Sequence, residues 1–504
     1  MGKWALFSVS DKTGSVELAQ WFVDQEIGIL ASGGTYRHLV DHGIPATPLE
    51  SITGFEQVLD GRVKTLHPVI YTGILSRRSL ADQADVQKIG APDIVAVVVN
   101  LYPFRSQALK VGSDQQALVE EIDIGGVSLI RAAAKNYSHV LVVVNPAQYD
   151  RLCSMRWADI SEVYRLDFSA EAFRHVAAYD ATIAQVMDQH AQPLDADWVV
   201  AGIEHRGLRY GENPHQAASF YAIEPKAGFA GARQYQGKEL SYNNLADSDA
   251  AWGLVQSLPG TAAVVVKHQN PAAAAVSDNV EQAFRLAYEA DPISIFGGIV
   301  AFNTTVSATV AEMLKDIFLE VVLAPRYQPK ALEILSKKKN LRILEMPLQS
   351  FKPWEVRMIN GGMLVQERDQ AIVTFDQFLQ VGGQNFDLNL RKEDARLAWA
   401  TVQWAKSNAI VVVQGGVTVG IGAGQTNRID AARQALSRAG AKAEGAVLAS
   451  DAFFPFGDVM EEAAKAKIGV VIQPGGSQRD QESIDLANQT QVPLFFTGER
   501  HFRH

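Results

Sequence analysis

The stretch "KWALFSVSDKTGSVELAQWFV" (residues 3–23) decides the fold class, because it joins a strand pattern to a helix pattern across one polar turn. Its opening run is mostly apolar, "SDKTG" interrupts it, and apolar residues then recur at helical spacing. The runs "IGILAS", "DIVAVVVN" and "HVLVVVN" continue this alternation over the first 200 residues. Repeated strand–loop–helix units predict a parallel α/β sheet with its site at the carboxyl ends of the strands.

The chain beyond a polar, motif-poor stretch at 188–207 is again α/β, and we place a domain boundary in that stretch, between residues 199 and 200. The later elements form two related sets, at 262–303 and 407–477. Each set has a strand, a polar elbow, a helix and a loop rich in Phe, Gly and Asp. This order predicts an internal duplication, although the common pattern of α/β units would also produce so weak a similarity. The less patterned stretch 326–400 is expected to be an insertion.

The composition excludes several classes of protein. An apolar content of 47% with 20% charged residues is typical of a globular protein with large cores. The net charge of −10 argues against a nucleic-acid partner. The apolar runs are far shorter than the roughly 18 residues that span a membrane, and we expect no secretory signal. Cys153 is the only cysteine, which excludes intrachain disulfides and cysteine-based zinc clusters. We therefore expect a cytoplasmic protein with no membrane partner and no catalytic metal.

Two loops of the N-terminal half resemble a phosphate cradle. "SVSDKTG" (8–14) and "ASGGT" (31–35) each follow an apolar strand and precede a helix. Gly33 and Gly34 allow a ligand to approach the backbone, and the N–H groups of a helix start favour an anion. Lys12 adds a positive charge. Neither loop matches a nucleotide-binding fingerprint, and a plain tight turn would explain both equally well.

Three further motifs of this half carry reactive side chains: "GRVKTLHP" (61–68), "NLYPF" (100–104) and "IDIGGVSLIRAAAKN" (122–136). They supply two lysines, a phenol and a carboxylate: Lys64, Lys135, Tyr102 and Asp123. Such groups suffice for proton transfer and oxyanion stabilisation without a metal. A structural explanation remains open for two of them, because Asp123 would serve as a helix N-cap and Lys135 as a favourable charge at a helix C-terminus.

The run "VVVKHQNPAAAA" (264–275) ends an apolar strand at Lys267 and His268. The pair is either a solvated strand end or a catalytic amine and imidazole, since histidine accepts protons near neutral pH. Neighbouring strand residues point to opposite faces, so both side chains reach one site only if the strand ends there. The following Asn270-Pro271 is consistent with such an end.

These motifs resemble one family. "ALFSVSDKTG", "GRVKTLHP", "VNLYPF" and "IDIGGVSLIRAAAKN" are similar to the cyclohydrolase half of the bifunctional AICAR transformylase/IMP cyclohydrolase family of purine biosynthesis. A series from "LRYGENPHQ" (208–216) to the terminal "RHFRH" resembles its transformylase half, so the resemblance covers nearly the whole chain. It implies formyl transfer from the co-substrate 10-formyltetrahydrofolate to AICAR, followed by ring closure of formyl-AICAR to IMP with loss of water.

The resemblance also implies an architecture. A methylglyoxal-synthase-like cyclohydrolase domain (1–199) would be followed by a transformylase domain (200–504) made of two cytidine-deaminase-like units. The family works as a homodimer whose transformylase sites use both chains. Whether a structural monovalent cation is bound remains open.

The resemblance assigns roles residue by residue. For formyl transfer, His268 is the base and Lys267 stabilises the transition state; for cyclisation the set is Lys64, Tyr102, Asp123 and Lys135. The other cyclohydrolase contacts are Ser10, Asp11, Lys12, Ser32, Gly33, Gly34, Thr35, Arg62, Val63, Thr65, Asn100 and Ile124. The AICAR contacts are Arg209, Tyr210, Asn244, Gly297, Glu320, Asn408, Arg428, Phe453 and Arg500. The folate contacts are Phe296, Ile429, Asp458, Ser477 and Gln478.

Two departures and two rival interpretations accompany this assignment. The family often has Arg where this chain has Gly457, and Gly where it has Ala273. A zinc nucleoside deaminase would need a Cys-rich zinc motif, which a single cysteine excludes. A non-catalytic ribotide-binding protein would have lost its catalytic residues, yet this chain has all six of the catalytic residues named above. A bifunctional enzyme in which Gly457 has inactivated one of the two halves remains an alternative.

Overall fold

The structure is a computed structural model that describes residues 2–55, 58–59, 62–102, 104, 114–187, 197–224, 226–347, 354–370 and 377–504. These residues form two compact units, Met1–Ile203 and Glu204–His504. The sequence placed its boundary at 199/200. Within the described residues, no helix combines the length and the apolar character that crossing a membrane requires.

The first unit contains a five-stranded sheet in the order β3-β2-β1-β4-β5, and each of its pairings is parallel. Its strands are β1 (Lys3–Val9), β2 (Gly28–Ala31), β3 (Ala46–Pro48), β4 (Asp93–Asn100) and β5 (Leu141–Val143). Strands β4 and β5 are almost wholly buried, which is why they are continuous apolar runs without alternation. The predicted parallel α/β sheet is confirmed.

The helices described in the first unit lie between these strands or follow the last of them. They are α1 (Ser15–Asp24), α2 (Gly33–Asp41), α3 (Leu49–Thr53), α4 (Pro68–Leu75), α5 (Leu80–Ile89), α6 (Gln115–Glu120), α7 (Gly125–Lys135), α8 (Tyr149–Cys153) and α9 (Glu162–Met187). Because α7 joins two neighbouring parallel strands, β4 and β5, it begins near the carboxyl edge of the sheet and ends near the amino edge.

The second unit is built on a twelve-stranded sheet in the order β16-β21-β20-β19-β17-β18-β10-β9-β11-β12-β13-β8. Strands β6 (Ile203–Leu208) and β7 (Ala218–Ala222) form a separate pair, as do β14 (Trp354–Ile359) and β15 (Gly362–Glu367). The large sheet contains β8 (Arg233–Gln236), β9 (Thr261–Lys267), β10 (Asn270–Ser277), β11 (Ile299–Phe302), β12 (Val321–Ala324), β13 (Arg342–Glu345), β16 (Leu379–Gly382), β17 (Ile410–Gln414), β18 (Val417–Gly422), β19 (Val447–Ser450), β20 (Val470–Gln473) and β21 (Leu494–Phe496).

The helices of this unit follow the same alternation. They are α10 (Tyr242–Ser257), α11 (Val280–Ala290), α12 (Ala308–Leu314), α13 (Pro329–Leu335), α14 (Lys392–Gln403), α15 (Arg428–Ala439), α16 (Asp458–Lys465) and α17 (Asp480–Thr490).

The large sheet consists of two halves with the same topology. In the first half, β9 and β10 form a hairpin, β11 lies antiparallel to β9, and β12 and β13 continue in parallel. In the second half, β17 and β18 form the hairpin, β19 lies antiparallel to β17, and β20 and β21 continue in parallel. Strands β10 and β18 join the halves. The repeat suspected from the sequence is therefore present in the strand order.

The stretch 326–400 is not one insertion, contrary to the sequence-based expectation. Helix α13 and strand β13 belong to the first half of the sheet, and β16 pairs with β21 in the second half. Among the described residues of this stretch, which exclude 348–353 and 371–376, only the hairpin β14–β15 forms a sheet of its own. The short strands lack a pattern of their own because their burial depends on neighbours distant in sequence.

Candidate active sites

The carboxyl edge of the first sheet is organised by Asn100, the last residue of β4. Its Oδ1 atom accepts hydrogen bonds from the backbone N–H groups of Ser10 (2.6 Å) and Asp11 (2.8 Å). Its Nδ2 atom donates to the Asp11 carbonyl at 3.0 Å. Asn100 therefore fixes the loop that follows β1, as neighbouring parallel strands allow.

Two lysines meet at this edge, beside the start of α2. The Lys12 Nζ atom donates to the Val9 carbonyl and to Thr35 Oγ1, the latter at 3.0 Å. The Lys64 ammonium group lies against Gly33, so closely that a β-carbon there would collide with it. Burial lowers the pKa of both lysines, and the nearby Lys64 charge lowers that of Lys12 further. Two ammonium groups and a helix N-terminus form a suitable site for an anion such as phosphate.

Asp123 lies at the same edge, immediately before α7. Its Oδ1 atom accepts from the Gly126 N–H at 2.7 Å, and its own N–H donates to the Tyr179 hydroxyl at 2.8 Å. Burial raises the pKa of the Asp123 carboxyl. Thr65 lies beside the same helix start, because a β-carbon on Gly125 would meet its hydroxyl. The N-cap of α7 is Ile124, so Asp123 is not the N-cap itself, but it binds a backbone N–H of the first turn from one position earlier. Its part in cyclisation stays a prediction.

The remaining residues predicted for this site differ in how accessible they are. Tyr102 and Ile124 are exposed, by 54% and 57%. Ser32 is buried, with its hydroxyl 3.0 Å from that of Ser8. Arg62 forms an ion pair with Glu120, so its guanidinium already has an anionic partner.

The structure does not bring Lys135 to this edge. Lys135 ends α7, whose start lies beside Asp123, and ten residue steps at 1.5 Å separate the two ends by roughly 15 Å. It is exposed, and the neighbouring Asn136 donates to the carbonyls of Ile74 and Ser76. The geometry of one chain therefore does not place Lys135 beside Asp123, and the Lys135 charge is favourable at the helix C-terminus where it lies. Its part in cyclisation stays a prediction.

In the second unit, Lys267 and His268 stand at the end of a strand. Strand β9 ends at Lys267 and β10 begins at Asn270, so His268 and Gln269 alone form the turn. Both have left-handed backbones, with φ of 54° and 60°. Glycine or asparagine normally occupies such a two-residue turn, and another residue there costs about 1–3 kcal/mol. Because strain of this kind concentrates at functional sites, the turn is a catalytic candidate. His268 lies in the turn and not in the strand, so its side chain and that of Lys267 need not point to opposite faces of the sheet.

The Lys267 side chain is held by the neighbouring loop. Its Nζ atom donates to the Phe296 carbonyl at 2.8 Å. The next residue, Gly297, has φ of 73°, and its N–H donates to the Phe318 carbonyl at 2.8 Å. The exposed Phe296 ring lies 5.0 Å from the Phe318 ring. The loop thus joins the proposed catalytic amine to the predicted folate contact Phe296.

A second loop reaches the same hairpin through Asn270. The Oδ1 atom of Asn270 accepts a hydrogen bond from the Lys406 N–H at 3.0 Å. Lys406 lies two positions before the predicted AICAR contact Asn408. The Asn408 Oδ1 atom accepts from Arg428 at 2.8 Å. Arg428 is buried and forms an ion pair with Asp451. In this chain Arg428 therefore supports Asn408, and its role as a ligand contact stays a prediction.

The other predicted contacts of the second unit vary in availability. Arg209 donates to the Tyr210 hydroxyl at 2.8 Å, and Arg500 stacks on Phe502; both arginines are exposed, as phosphate recognition requires. Asn244 is buried in a capping box with Ser241, and Glu320 forms an ion pair with Arg342 at 2.6 Å. Half-buried side chains are those of Phe453, Ile429, Asp458 and Ser477, and Gln478 is exposed.

The two departures from the family pattern have different surroundings. Ala273 is fully buried in strand β10. At Gly457, a β-carbon would collide with Leu486, so a larger residue requires that side chain to move. A cation still lies beside this loop, because the Arg479 guanidinium is 4.9 Å from the Phe456 ring centre.

The sequence reasoning missed Asp247. Its two carboxylate oxygens accept from the backbone N–H groups of His268 (3.2 Å) and Gln269 (2.9 Å). The residue lies within the motif "SYNNLADSDAAW" (241–252), but nothing in its spacing indicates a partner about twenty positions later.

Two protein-family models match this chain. A family model described as "AICARFT/IMPCHase bienzyme" matches residues 133–438, and one described as "MGS-like domain" matches residues 14–128. The chain belongs to the AICARFT/IMPCHase bienzyme family. It is a bifunctional enzyme of purine biosynthesis, with AICAR formyltransferase and IMP cyclohydrolase activities, as the motifs predicted.

The curated relatives of this bienzyme family match over their full length. Proteins named "Bifunctional purine biosynthesis protein PurH" from Oceanobacillus iheyensis and Halalkalibacterium halodurans are each 45% identical to this chain, and one from Thermoanaerobacter sp. is 46% identical. Each alignment covers 100% of both chains. A structure titled "Crystal structure of ForH" is 30% identical over 37% of this chain and 100% of that chain, with a TM-score of 0.34. The predicted methylglyoxal-synthase-like character of the N-terminal domain agrees with the MGS-like match.

Proposed function

We propose that the two units divide the two reactions. The first unit closes the ring of formyl-AICAR, and the second transfers the formyl group from 10-formyltetrahydrofolate to AICAR. The observation that carries the second assignment is the strained turn at His268, directly after Lys267. The first rests on the two lysines and the carboxylate at one sheet edge.

Formyl transfer needs a base, because the aromatic amine of AICAR is a weak nucleophile. The amine nitrogen attacks the formyl carbon, and the exposed His268 imidazole accepts the proton that the nitrogen loses. The Lys267 ammonium group stabilises the negative charge on the formyl oxygen. The bond from carbon to the folate nitrogen then breaks, and the proton held by His268 passes to that leaving nitrogen.

Ring closure requires the carboxamide nitrogen of formyl-AICAR to attack its own formyl carbon. Lys12 and Lys64, with the N-terminus of α2, hold the ribotide phosphate. The Asp123 carboxylate accepts a proton from the attacking nitrogen and passes it to the oxyanion, which becomes a hydroxyl group. This hydroxyl leaves as water with the proton of the neighbouring formamide nitrogen, and a C=N double bond forms between that nitrogen and the formyl carbon. Tyr102, exposed at the same edge, supplies a hydrogen bond to the developing oxyanion.

The remaining assignments rest on the family resemblance. We assign the cyclohydrolase, AICAR and folate contacts as named in the sequence analysis, with Arg428 acting through Asn408 and with Lys135 outside the cyclohydrolase cluster of one chain. The repeated topology supports, as a proposal, two cytidine-deaminase-like units. A cytoplasmic homodimer with transformylase sites shared between chains completes the proposal.

The test is paired steady-state kinetics on the full chain. We expect His268→Ala to lower kcat for formyl transfer by roughly 10²–10⁴-fold, the range for loss of a general base, and Lys267→Ala to be at least as damaging. Lys267→Arg should not restore the rate, because a planar guanidinium cannot take the place of a compact ammonium group.

All three variants should still cyclise supplied formyl-AICAR at the wild-type rate, which controls for folding of the first unit. Wild-type formyl transfer by a folded His268→Ala protein would refute the assignment.

A further inference from the structure

The two halves of the large sheet contain the same type of hairpin turn, and only the turn in the first half carries reactive side chains. In the first half, His268 and Gln269 connect β9 to β10, and in the second half Gly415 and Gly416 connect β17 to β18. The φ angles are 54° and 60° in the first turn and 62° and 77° in the second. Glycine adopts this conformation freely, whereas histidine and glutamine do not. The first turn therefore needs an additional restraint.

That restraint is a carboxylate, and it too is present in both halves. Asp247 of α10 accepts from the N–H groups of His268 and Gln269, at 3.2 and 2.9 Å. Asp394 of α14 accepts from those of Gly415 and Gly416, at 3.1 and 2.7 Å. Hydrogen bonds to an ionised acceptor are roughly twice as strong as neutral ones. The clamp thus belongs to the repeated fold, and only the first copy restrains residues that resist the turn.

We propose that Asp247 is the positioning residue of formyl transfer. By binding both N–H groups, it fixes the backbone of His268 and so the direction in which the imidazole leaves the strand end beside Lys267. A catalytic group displaced by about 1 Å loses on the order of 10²-fold in rate. The inference rests on the proposed role of His268, since a turn without chemistry would gain nothing from the restraint.

The first experiment compares Asp247→Asn with the matched control Asp394→Asn in the full chain. Asparagine keeps one acceptor oxygen and replaces the other with an NH2 group, which cannot accept an N–H. We expect Asp247→Asn to lower kcat for formyl transfer by roughly 10- to 100-fold, with the KM for AICAR changed by less than about threefold. Asp394→Asn should retain transfer within about threefold, and both variants should cyclise formyl-AICAR normally.

The second experiment tests whether Asp247 acts by holding His268 and Gln269 in the left-handed turn. Adding Gln269→Gly to Asp247→Asn removes much of the resistance to the turn, so at least part of the lost transfer rate should return. A merely structural role of Asp247 would not produce this recovery in kcat. Should Asp247→Asn alone fail to fold, the double variant decides: recovered transfer supports the inference, and a folded but inactive double variant overturns it.

His268→Ala separates this inference from the proposed function. Wild-type transfer by both His268→Ala and Asp247→Asn would refute the assignment of the site itself. An inactive His268→Ala together with a fully active Asp247→Asn would leave the site in place and overturn the role of Asp247 alone.

Discussion

Gly33 and Lys64 are in close contact at the carboxyl edge of the first sheet, because a β-carbon on residue 33 would collide with the lysine ammonium group. Gly33 also has a φ of +33°, which L-residues with side chains rarely adopt. The close approach of backbone and cation therefore depends on glycine at this position.

Gly33→Ala should weaken binding of IMP by at least about tenfold, because the ammonium group must move away from the anion site. Gly2→Ala is the matched control: residue 2 precedes β1 at the opposite, amino edge of the sheet, and a β-carbon there meets no atom within 4 Å. Its IMP affinity should stay within about twofold of wild type. Calorimetric titration of the full chain measures both, and equal affinities for the two variants would contradict the placement of Lys64.

Lys64→Met should stabilise the first unit while weakening its hold on the nucleotide. Burial lowers the pKa of Lys64 in the folded chain, so its stabilising contribution is present above the unfolded pKa near 10.5 and is lost as pH falls through the lowered value. At pH 7 methionine removes the cost of burying the charged ammonium group, so the variant should have the higher free energy of unfolding. Near pH 11 the lysine is neutral, and methionine should give no such advantage. IMP affinity should fall by about 10- to 100-fold, the usual loss for a charged hydrogen bond.

Thermal melts at the two pH values, paired with IMP titrations, test the Lys64 prediction. A Lys64→Met protein that is less stable than wild type at pH 7 would show that the lysine is not penalised by burial.

Asp123→Asn should also trade activity for stability. The asparagine Oδ1 atom can still accept from the Gly126 N–H, but it cannot take a proton from the substrate nitrogen. Cyclisation should fall by about 10²-fold or more. Because burial raises the folded-state pKa, the contribution of Asp123 to stability is complete below its unfolded pKa near 3.8 and is lost as pH rises through the folded value. The variant should therefore exceed wild type in unfolding free energy at pH 7 but not at pH 3.

Lys135→Ala tests whether the two ends of α7 act in one site. Since roughly 15 Å of helix separates Lys135 from the helix start, we expect a smaller loss of cyclisation than Asp123→Ala produces. Formyl-AICAR turnover by the two variants, with transfer activity as the control for folding, gives the comparison. An equal loss would mean that Lys135 reaches a site by a route that one chain does not contain.

Gln269→Gly should raise the unfolding free energy of the second unit by about 1 kcal/mol, because glycine relieves the left-handed strain in the catalytic turn. The converse change, Gly416→Ala, should lower it, since its β-carbon would lie 2.8 Å from the Val276 carbonyl oxygen. Denaturant unfolding of both variants measures the difference. A destabilised Gln269→Gly protein would show that the turn is not strained.

The first sheet was predictable because parallel strands buried on both faces are continuous apolar runs, as in "DIVAVVVN". The rule that such strands end together also predicted the edge at which Lys12 and Lys64 meet, and anion binding there stays a prediction. The motif alone could not tell how far Lys135 lies from Asp123, because a motif joins residues along the chain, whereas the helix separates its two ends by roughly 15 Å.

The second unit was less predictable because its decisive contacts join distant positions. Strands as short as β13 have no pattern of their own, and the pairing that buries them is not written locally. Asp247 and the turn it holds are 21 and 22 positions apart. The burial of Arg428 beside Asp451 likewise depends on two separate elements. The Lys267–His268 pair is different, because an amine beside an imidazole at a strand end predicts a catalytic role from the sequence alone.

The junction of β10 and β18 has a consequence for how this enzyme could be divided. The two halves touch there through the backbone, with the Val276 N–H donating to the Gly416 carbonyl at 2.9 Å. A cut between them would turn the alanine-rich β10 into a free sheet edge, ready to pair with another molecule. Although each repeat has the strand order of a complete small sheet, each would expose an unpaired strand where it now meets the other. We therefore expect formyl transfer to require both halves in one continuous sheet.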